Sequence, residues 1–325
     1  SESDNLALRG AAWAARNAGR GDHVITTEIE HHAVLHEVER LEQEGFRVTY
    51  LRVDGEGFID LQELEESVGP ETVLVSIMYV NNEVGTIEPI ADAVRVVKGK
   101  NPSAMFHTDA VQAVGMLDIA VDPLGVDLLS ITAHKFYGPK GVGALYVRPR
   151  TPLQPQQLGG SQEKNRRAGT ENVAGVVGMV KALELAYEEF DSRNTHYRLL
   201  RGKLMAGVPE RVPGVVITGP SDFSRRASNN FSACLEYIEG EPVLMALDLA
   251  GIAGSSGSAC TSGSLEPSHV LTAMGIPEEL ARGSMRLTVG MDNTVKQIDY
   301  LLDVMPETVS RLRSLSPEWR AKAGV

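Results

Sequence analysis

Along the first half of the chain, apolar positions follow two different periods. Val34, Leu35, Val38 and Leu41 recur at three- and four-residue spacing and predict a helix over 33–43. Short β-rich runs at 23–26 and 47–51 flank it and read as strands. Residues 72–78 form a nearly continuous apolar run, the pattern of a strand covered on both faces of a parallel sheet. Helical patterns at 61–68 and 90–98 and strand patterns at 104–108, 127–131 and 142–147 continue the alternation. An Ala-rich helix over 6–13 precedes it, with Asp4 or Asn5 placed to cap the free amides of its first turn. Strand and helix in turn predict an α/β fold with a mostly parallel central sheet flanked by helices.

The texture changes after Thr170. A long helix is expected over 173–190 and a second over 198–205. Strands follow at 215–217, 230–235 and 285–289, with helices at 242–249 and 295–312. The reading is a large domain over 1–190 and a smaller α+β domain over 191–325, which a length of 325 residues accommodates. The opening Ser-Glu-Ser-Asp-Asn runs directly into a helix, and an N-terminal segment is expected to precede it.

Composition narrows the function classes. The 31 Lys and Arg against 43 Asp and Glu leave a net charge of −12, which disfavours nucleic acid or an anionic membrane as the main partner. Two cysteines, Cys234 and Cys260, cannot build a disulfide framework or a four-thiolate zinc site within one chain, so no metal site is expected. A reduced, cytoplasmic setting follows as the default. Cys234 lies in an apolar strand and reads as an inert core residue, whereas Cys260 sits in a Gly/Ser-rich run over 254–264 expected to form a mobile loop.

Chemistry gathers where predicted strands end. Lys135 stands in a Gly/Pro-rich turn after the strand at 127–131. There it is either a solvated turn lysine or an amine placed at the carboxyl end of a parallel sheet, able to form a Schiff base. Asp109 ends the preceding strand, where a carboxylate either caps the next turn or keeps a pyridoxal phosphate ring nitrogen protonated. Gln112, three residues on, can reach the same ring. His31 follows the first strand, and an imidazole can stack on an aromatic cofactor or move protons near neutral pH.

Taken in order, the motifs resemble those of one family. They are Glu30-His31 before Ala33-Val34, Val80-Asn81-Asn82-Glu83, Thr108-Asp109-Ala110-Val111-Gln112, Ala133-His134-Lys135 before Tyr137-Gly138-Pro139-Lys140-Gly141, Arg167-Ala168-Gly169-Thr170-Glu171-Asn172, and the Ser/Gly run through Ser258-Ala259-Cys260-Thr261 to Ser268-His269. The sequence resembles the cysteine desulfurases of the class V aminotransferase-like, pyridoxal-phosphate family, of the bacterial type that serves iron–sulfur cluster assembly. The likeness spans essentially the whole chain.

The resemblance implies fold type I of the pyridoxal-phosphate transferases. It implies that Lys135 holds the cofactor and then moves protons at the substrate α-carbon. Asp109 would pair with the ring nitrogen, Gln112 and Asn82 would face the ring hydroxyl, and His31 would stack on the ring. Thr132, His134 and Ser1 would bind the phosphate, and Thr170 would reach the phosphate of a partner subunit, which implies a homodimer. Arg286 would clamp the substrate carboxylate, with Asn82 beside it. Cys260 would attack the sulfur of L-cysteine, keep it as a persulfide and pass it to an acceptor or scaffold protein. A Gly-rich loop suits that task, because glycine makes backbone torsions cheap to change. Two readings compete. A selenocysteine lyase or aminotransferase of the same fold uses the same cofactor residues, and an inactive subunit needs none of them.

Overall fold

The computed structural model describes residues 1–256, 267–317 and 319–320. The chain divides into two compact units. The first comprises Ser1–Val53, Phe58–Asn82 and Ile87–Phe190, and the second comprises Asp54–Gly57, Glu83–Thr86 and Asp191–Val325.

The first unit is built on a six-stranded sheet of β1 (His23–Thr27), β2 (Arg47–Leu51), β3 (Thr72–Ser76), β4 (Met105–Asp109), β5 (Leu128–Thr132) and β6 (Gly143–Val147). The order is β2-β1-β3-β4-β5-β6. All neighbours run parallel except β6, which pairs antiparallel with β5. Strands β1, β3 and β4 are buried along their whole length, which is why none of them alternates apolar with polar and why β3 reads as a nearly continuous apolar run. The helices are α1 (Glu2–Asn17), α2 (His32–Gln43), α3 (Leu61–Ser67), α4 (Ile90–Lys100), α5 (Val121–Leu124) and α6 (Val173–Glu188).

Helix α1 packs Ala7, Leu8, Ala11, Ala12 and Ala15 into the same core as Val24 and Leu74. Its small side chains let the backbone come close, and at Gly10 an added Cβ would lie 2.7 Å from the carbonyl oxygen of Gln154. The expected caps are wrong here. Helix α1 starts at Glu2 with Ser1 in the cap position, Asp4 is buried within the first turn, and the Asn5 side chain donates to the Ala33 carbonyl at 2.9 Å. Asn5 thus spends its amide on a tertiary partner, while Asp4 pairs with the Ser1 amino group at 3.3 Å and places its other carboxylate oxygen 3.8 Å from His107.

The second unit holds an antiparallel sheet, β7-β8-β9, of β7 (Val215–Ile217), β8 (Asn230–Leu235) and β9 (Ser284–Thr288). Its helices are α7 (Phe190–Arg211), α8 (Gly240–Leu249), α9 (His269–Ala273), α10 (Glu278–Ala281) and α11 (Val295–Arg313). Leu200, Leu204, Phe231, Leu247, Met285 and Met305 form the centre of its core. The helix expected over 198–205 is in fact α7, 22 residues long. Its first turns bury Arg193 and Asn194, polar residues that an apolar-periodicity reading passes over. Helix α11 opens on a capping box in which Thr294 and Gln297 each satisfy the other's backbone N–H. Cys234 is buried in β8, and burial pushes its thiol up to about 12, as suits a core residue. Among the described residues no helix is long and apolar enough to cross a membrane.

Candidate active site

In the first unit, strands β1, β3, β4 and β5 run parallel, so their carboxyl ends meet on one edge of the sheet. That edge is where open α/β sheets bind ligands. His31 follows β1, Asn82 follows β3, Asp109 ends β4 with Gln112 three residues on, and Thr132 ends β5 with His134 and Lys135 after it. The N-terminus of α1, with Ser1 at its cap, comes to the same edge, since Asp4 lies 3.8 Å from His107 on β4. The structure thus brings these expected residues together.

Local backbone chemistry presents each of them. Ala133–Phe136 forms one turn of 3-10 helix, closed by Tyr137 in the left-handed region at φ 70°. Gly138 then donates to the Ala133 carbonyl, where any side chain would collide, since a Cβ would come within 2.8 Å of Ala133. This tight turn leaves Lys135 and His134 exposed while Ala133 and Phe136 are buried. The Thr132 hydroxyl and His134 Nδ1 are hydrogen-bond partners 3.1 Å apart. His31 is the cap of α2, its Nδ1 accepting from the Ala33 N–H at 3.1 Å, and burial lowers its pKa so that the ring is neutral.

Asp109 is buried, with one carboxylate oxygen accepting from the Val111 N–H at 2.9 Å. Burial raises its pKa first and the nearby Asp4 charge raises it further, while the Val111 hydrogen bond and the Lys135 charge act against them. A cationic ring nitrogen is the partner such a carboxyl calls for. The donor set fits pyridoxal phosphate: a buried acid for the nitrogen, a neutral imidazole for the ring face, a Thr–His pair for the phosphate and an exposed amine for the aldehyde.

Beneath these residues lies a layer to which the motif reading assigned no roles. His107, two residues before Asp109, is fully buried between the Ser76 hydroxyl at 2.9 Å and the Ser130 hydroxyl at 3.0 Å, and burial lowers its pKa to about 4. Glu30 is buried and accepts from the Met78 N–H at 2.8 Å and the Thr27 hydroxyl at 2.9 Å. Burial raises its pKa well above the carboxylate range. Asn81 donates to the Ile29 carbonyl at 3.0 Å. Glu30 and Asn81 therefore tie the loop after β1 to the loop after β3, and so brace His31 and Asn82. Their signal in sequence is position, one residue before each site residue.

Thr170 is exposed on the stretch before α6, two residues ahead of its Asn172 cap. Arg286 belongs to β9 of the second unit, and Cys260 lies outside the described residues.

The aminotransferase class-V family model matches residues 1–301. The chain is 51% identical over 319 residues to the protein named cysteine desulfurase IscS of Clostridium botulinum, covering 98% of this chain and 79% of that one. Among solved structures, a NifS-like protein superposes with a TM-score of 0.88 at 40% identity, covering 96% of this chain and 80% of its own. A structure described as SspA in complex with cysteine gives a TM-score of 0.73 at 35% identity, with 89% and 78% covered.

Proposed function

The chain belongs to the aminotransferase class-V family and, within it, to the cysteine desulfurases, and on that premise we propose how its own residues carry the reaction. L-cysteine is the substrate, L-alanine the product, and pyridoxal 5'-phosphate the cofactor held by Lys135. When bound, the cofactor supplies an electron sink for cleavage next to the substrate's amino-bearing carbon.

Asp109 would hold a proton at the ring nitrogen of the bound cofactor, and His31 would stack on the ring and help move protons. Gln112 and Asn82 would face the ring hydroxyl, and Thr132, His134 and Ser1 would bind the phosphate. Arg286 takes the substrate carboxylate in a two-pronged contact, with Asn82 beside it. Lys135 would hold the cofactor and take and return the proton at the substrate α-carbon. The Cys260 thiolate attacks the substrate sulfur. The carbon–sulfur bond breaks as the sulfur–sulfur bond forms, so thiol plus cysteine gives persulfide plus alanine with no external oxidant. The thiol of an acceptor or iron–sulfur scaffold protein then removes the outer sulfur and regenerates Cys260, which makes the enzyme a sulfurtransferase.

A homodimer completes the site through Thr170. Support comes from α6, where Val173, Val176, Val177 and Val180 are all exposed at three- and four-residue spacing directly after Thr170. Such a stripe suits a second copy of the chain. A cytoplasmic setting fits a chemistry that depends on free thiols.

The buried Asp109, with Lys135 and the Thr132–His134 pair at the same sheet edge, is the observation that carries this reading. The test is alanine and sulfide release from L-cysteine with the cofactor and a dithiol supplied. Equal amounts of the two products, lost in Cys260→Ala, are expected. Amino transfer to a keto acid by Cys260→Ala at the wild-type rate would instead make the chain an aminotransferase.

A further inference from the structure

Ser255 and Ser268 stand on either side of residues 257–266, which carry Cys260, and in the second unit each is fastened differently. Ser255 is joined to Arg286 by two backbone hydrogen bonds, its N–H donating to the Arg286 carbonyl at 3.0 Å and its carbonyl accepting the Arg286 N–H at 2.6 Å. The Ser268 hydroxyl donates to Glu83 Oε2 at 2.5 Å. The same oxygen accepts from the Leu271 N–H at 3.3 Å and so caps α9. Glu83 is itself held in place. It is 5% exposed, and its main-chain carbonyl accepts from the Asn230 side chain on β8 at 2.9 Å. Gly85 keeps that approach open, because its φ is 79° and an added Cβ would meet Asn230 at 2.8 Å.

The upstream end of the cysteine segment is thus fastened by a backbone pairing. At the downstream end a hydroxyl meets a buried carboxyl. We propose that Glu83 is a positioning residue, whose carboxyl anchors Ser268 and thereby sets where the Cys260 segment rejoins the second unit. The site named here is the Glu83–Ser268 pair, and its effect is on the delivery of the thiol rather than on the cofactor. Arg286 belongs to the same arrangement. Its backbone holds the upstream anchor and its positive charge acts on Glu83, so the residue read as the substrate carboxylate clamp is linked to both fastenings.

The inference rests on Cys260 being the sulfur carrier, and the experiment separates the two. Persulfide on Cys260 is followed by mass spectrometry in a single turnover of the cofactor-loaded enzyme, beside the absorbance change when cysteine meets the cofactor. Glu83→Met removes the acceptor yet leaves Ser268 free to cap α9. Ser268→Ala removes the donor and the cap, and Ser268→Thr keeps both. Glu83→Met and Ser268→Ala should slow persulfide formation about 10-fold, since a misplaced reacting group costs this much or more. The absorbance change should stay at the wild-type rate, Ser268→Thr should keep the wild-type persulfide rate, and the double variant should be no slower than the worse single one. Hydrogen exchange in cofactor-free protein should show lost protection over 267–273 in Glu83→Met and none lost in Ser268→Thr. Persulfide formation within twofold of wild type in both disrupting variants overturns the proposal. So does an equal slowing of the absorbance change, which would mark a general structural role. A wild-type enzyme that forms alanine without persulfide would instead overturn the role of Cys260 itself.

Discussion

The two units bury opposite charges, and they neutralise them in different ways. Toward its sheet edge the first unit buries Asp4, Glu30 and Asp109, with the neutral His107 beside Asp4. The second buries Arg201, Arg226 and Arg313. Each arginine spends its fork on backbone carbonyls: Arg201 on those of Arg226 and Ala227, Arg226 on those of Thr218 and Pro220, and Arg313 on those of Pro213, Gly214 and Glu236. A guanidinium keeps its charge when buried, so it is satisfied only by fixed acceptors and serves as a tie between loops. Burial pushes Arg226 down only to about 10, far above neutral pH. A carboxyl in the same position can take up a proton instead. The first unit thus places its chemistry where protons are movable, and the second uses arginines as fixed ties.

The sharpest break in that comparison is Lys135→Ala. It removes the amine that binds the cofactor and moves the proton, and alanine production is expected to fall by about 1,000-fold or more. The melting temperature should move little, because Lys135 is exposed. The reverse pattern is expected for Arg226→Met. It strands the Thr218 and Pro220 carbonyls, and urea unfolding should show a loss of about 3 kcal/mol while the folded fraction keeps its turnover per site. An Arg226→Met enzyme that melts like wild type would remove the arginine half of the contrast.

Glu83 is the exception, a buried carboxyl in the arginine-tied unit, and pH reveals it. Burial raises its pKa to about 7, against the Ser268 hydrogen bond and the Arg286 charge. A carboxyl whose folded pKa lies above its unfolded value of 4.5 gives its full stabilisation below pH 4.5, and loses it as pH rises to about 7. Glu83→Gln keeps an acceptor for Ser268 and has no proton to lose. It should be more stable than wild type by about 1–3 kcal/mol at pH 8, with the gap closing by pH 4.5. Denaturant midpoints at both pH values decide it, and an equal gap at the two contradicts the assignment. The smallest change is expected for Glu30→Gln. Burial raises the Glu30 pKa and so favours the neutral carboxyl that an amide mimics, and the amide should cost under about 1 kcal/mol, whereas Glu30→Ala, which abandons the Met78 N–H and the Thr27 hydroxyl, should cost about 2–3 kcal/mol.

Much of this was legible in the chain itself. The apolar run of β3 and the alternation of strand with helix gave away the parallel sheet, because a strand covered on both faces need not alternate. Lys135, Asp109 and His31 were found because they follow predicted strands. The tight turn at Ala133–Phe136 was legible only as Gly/Pro punctuation. Pairings across long separations were not legible at all. Asp4 looks like a cap, since an acid at a helix start usually is one, and only the fold reveals that it faces His107 more than a hundred residues away. Glu83 looks like one more polar residue of a loop until Ser268 is brought to it. Helix α7 was underestimated for the same reason, as Asn194 is buried against the Ser228 hydroxyl at 2.6 Å and no apolar stripe announces it.

The central claim is that the buried acid at the edge of the first sheet carries the chemistry while the fold stands without its charge. Asp109→Asn measures it most directly, in a single turnover with L-cysteine beside a thermal melt. The account predicts a melting temperature at or above wild type, because burial penalises the charge that is removed, together with alanine formation reduced by about 100-fold or more. Alanine formed at the wild-type rate by a well-folded Asp109→Asn enzyme would contradict it.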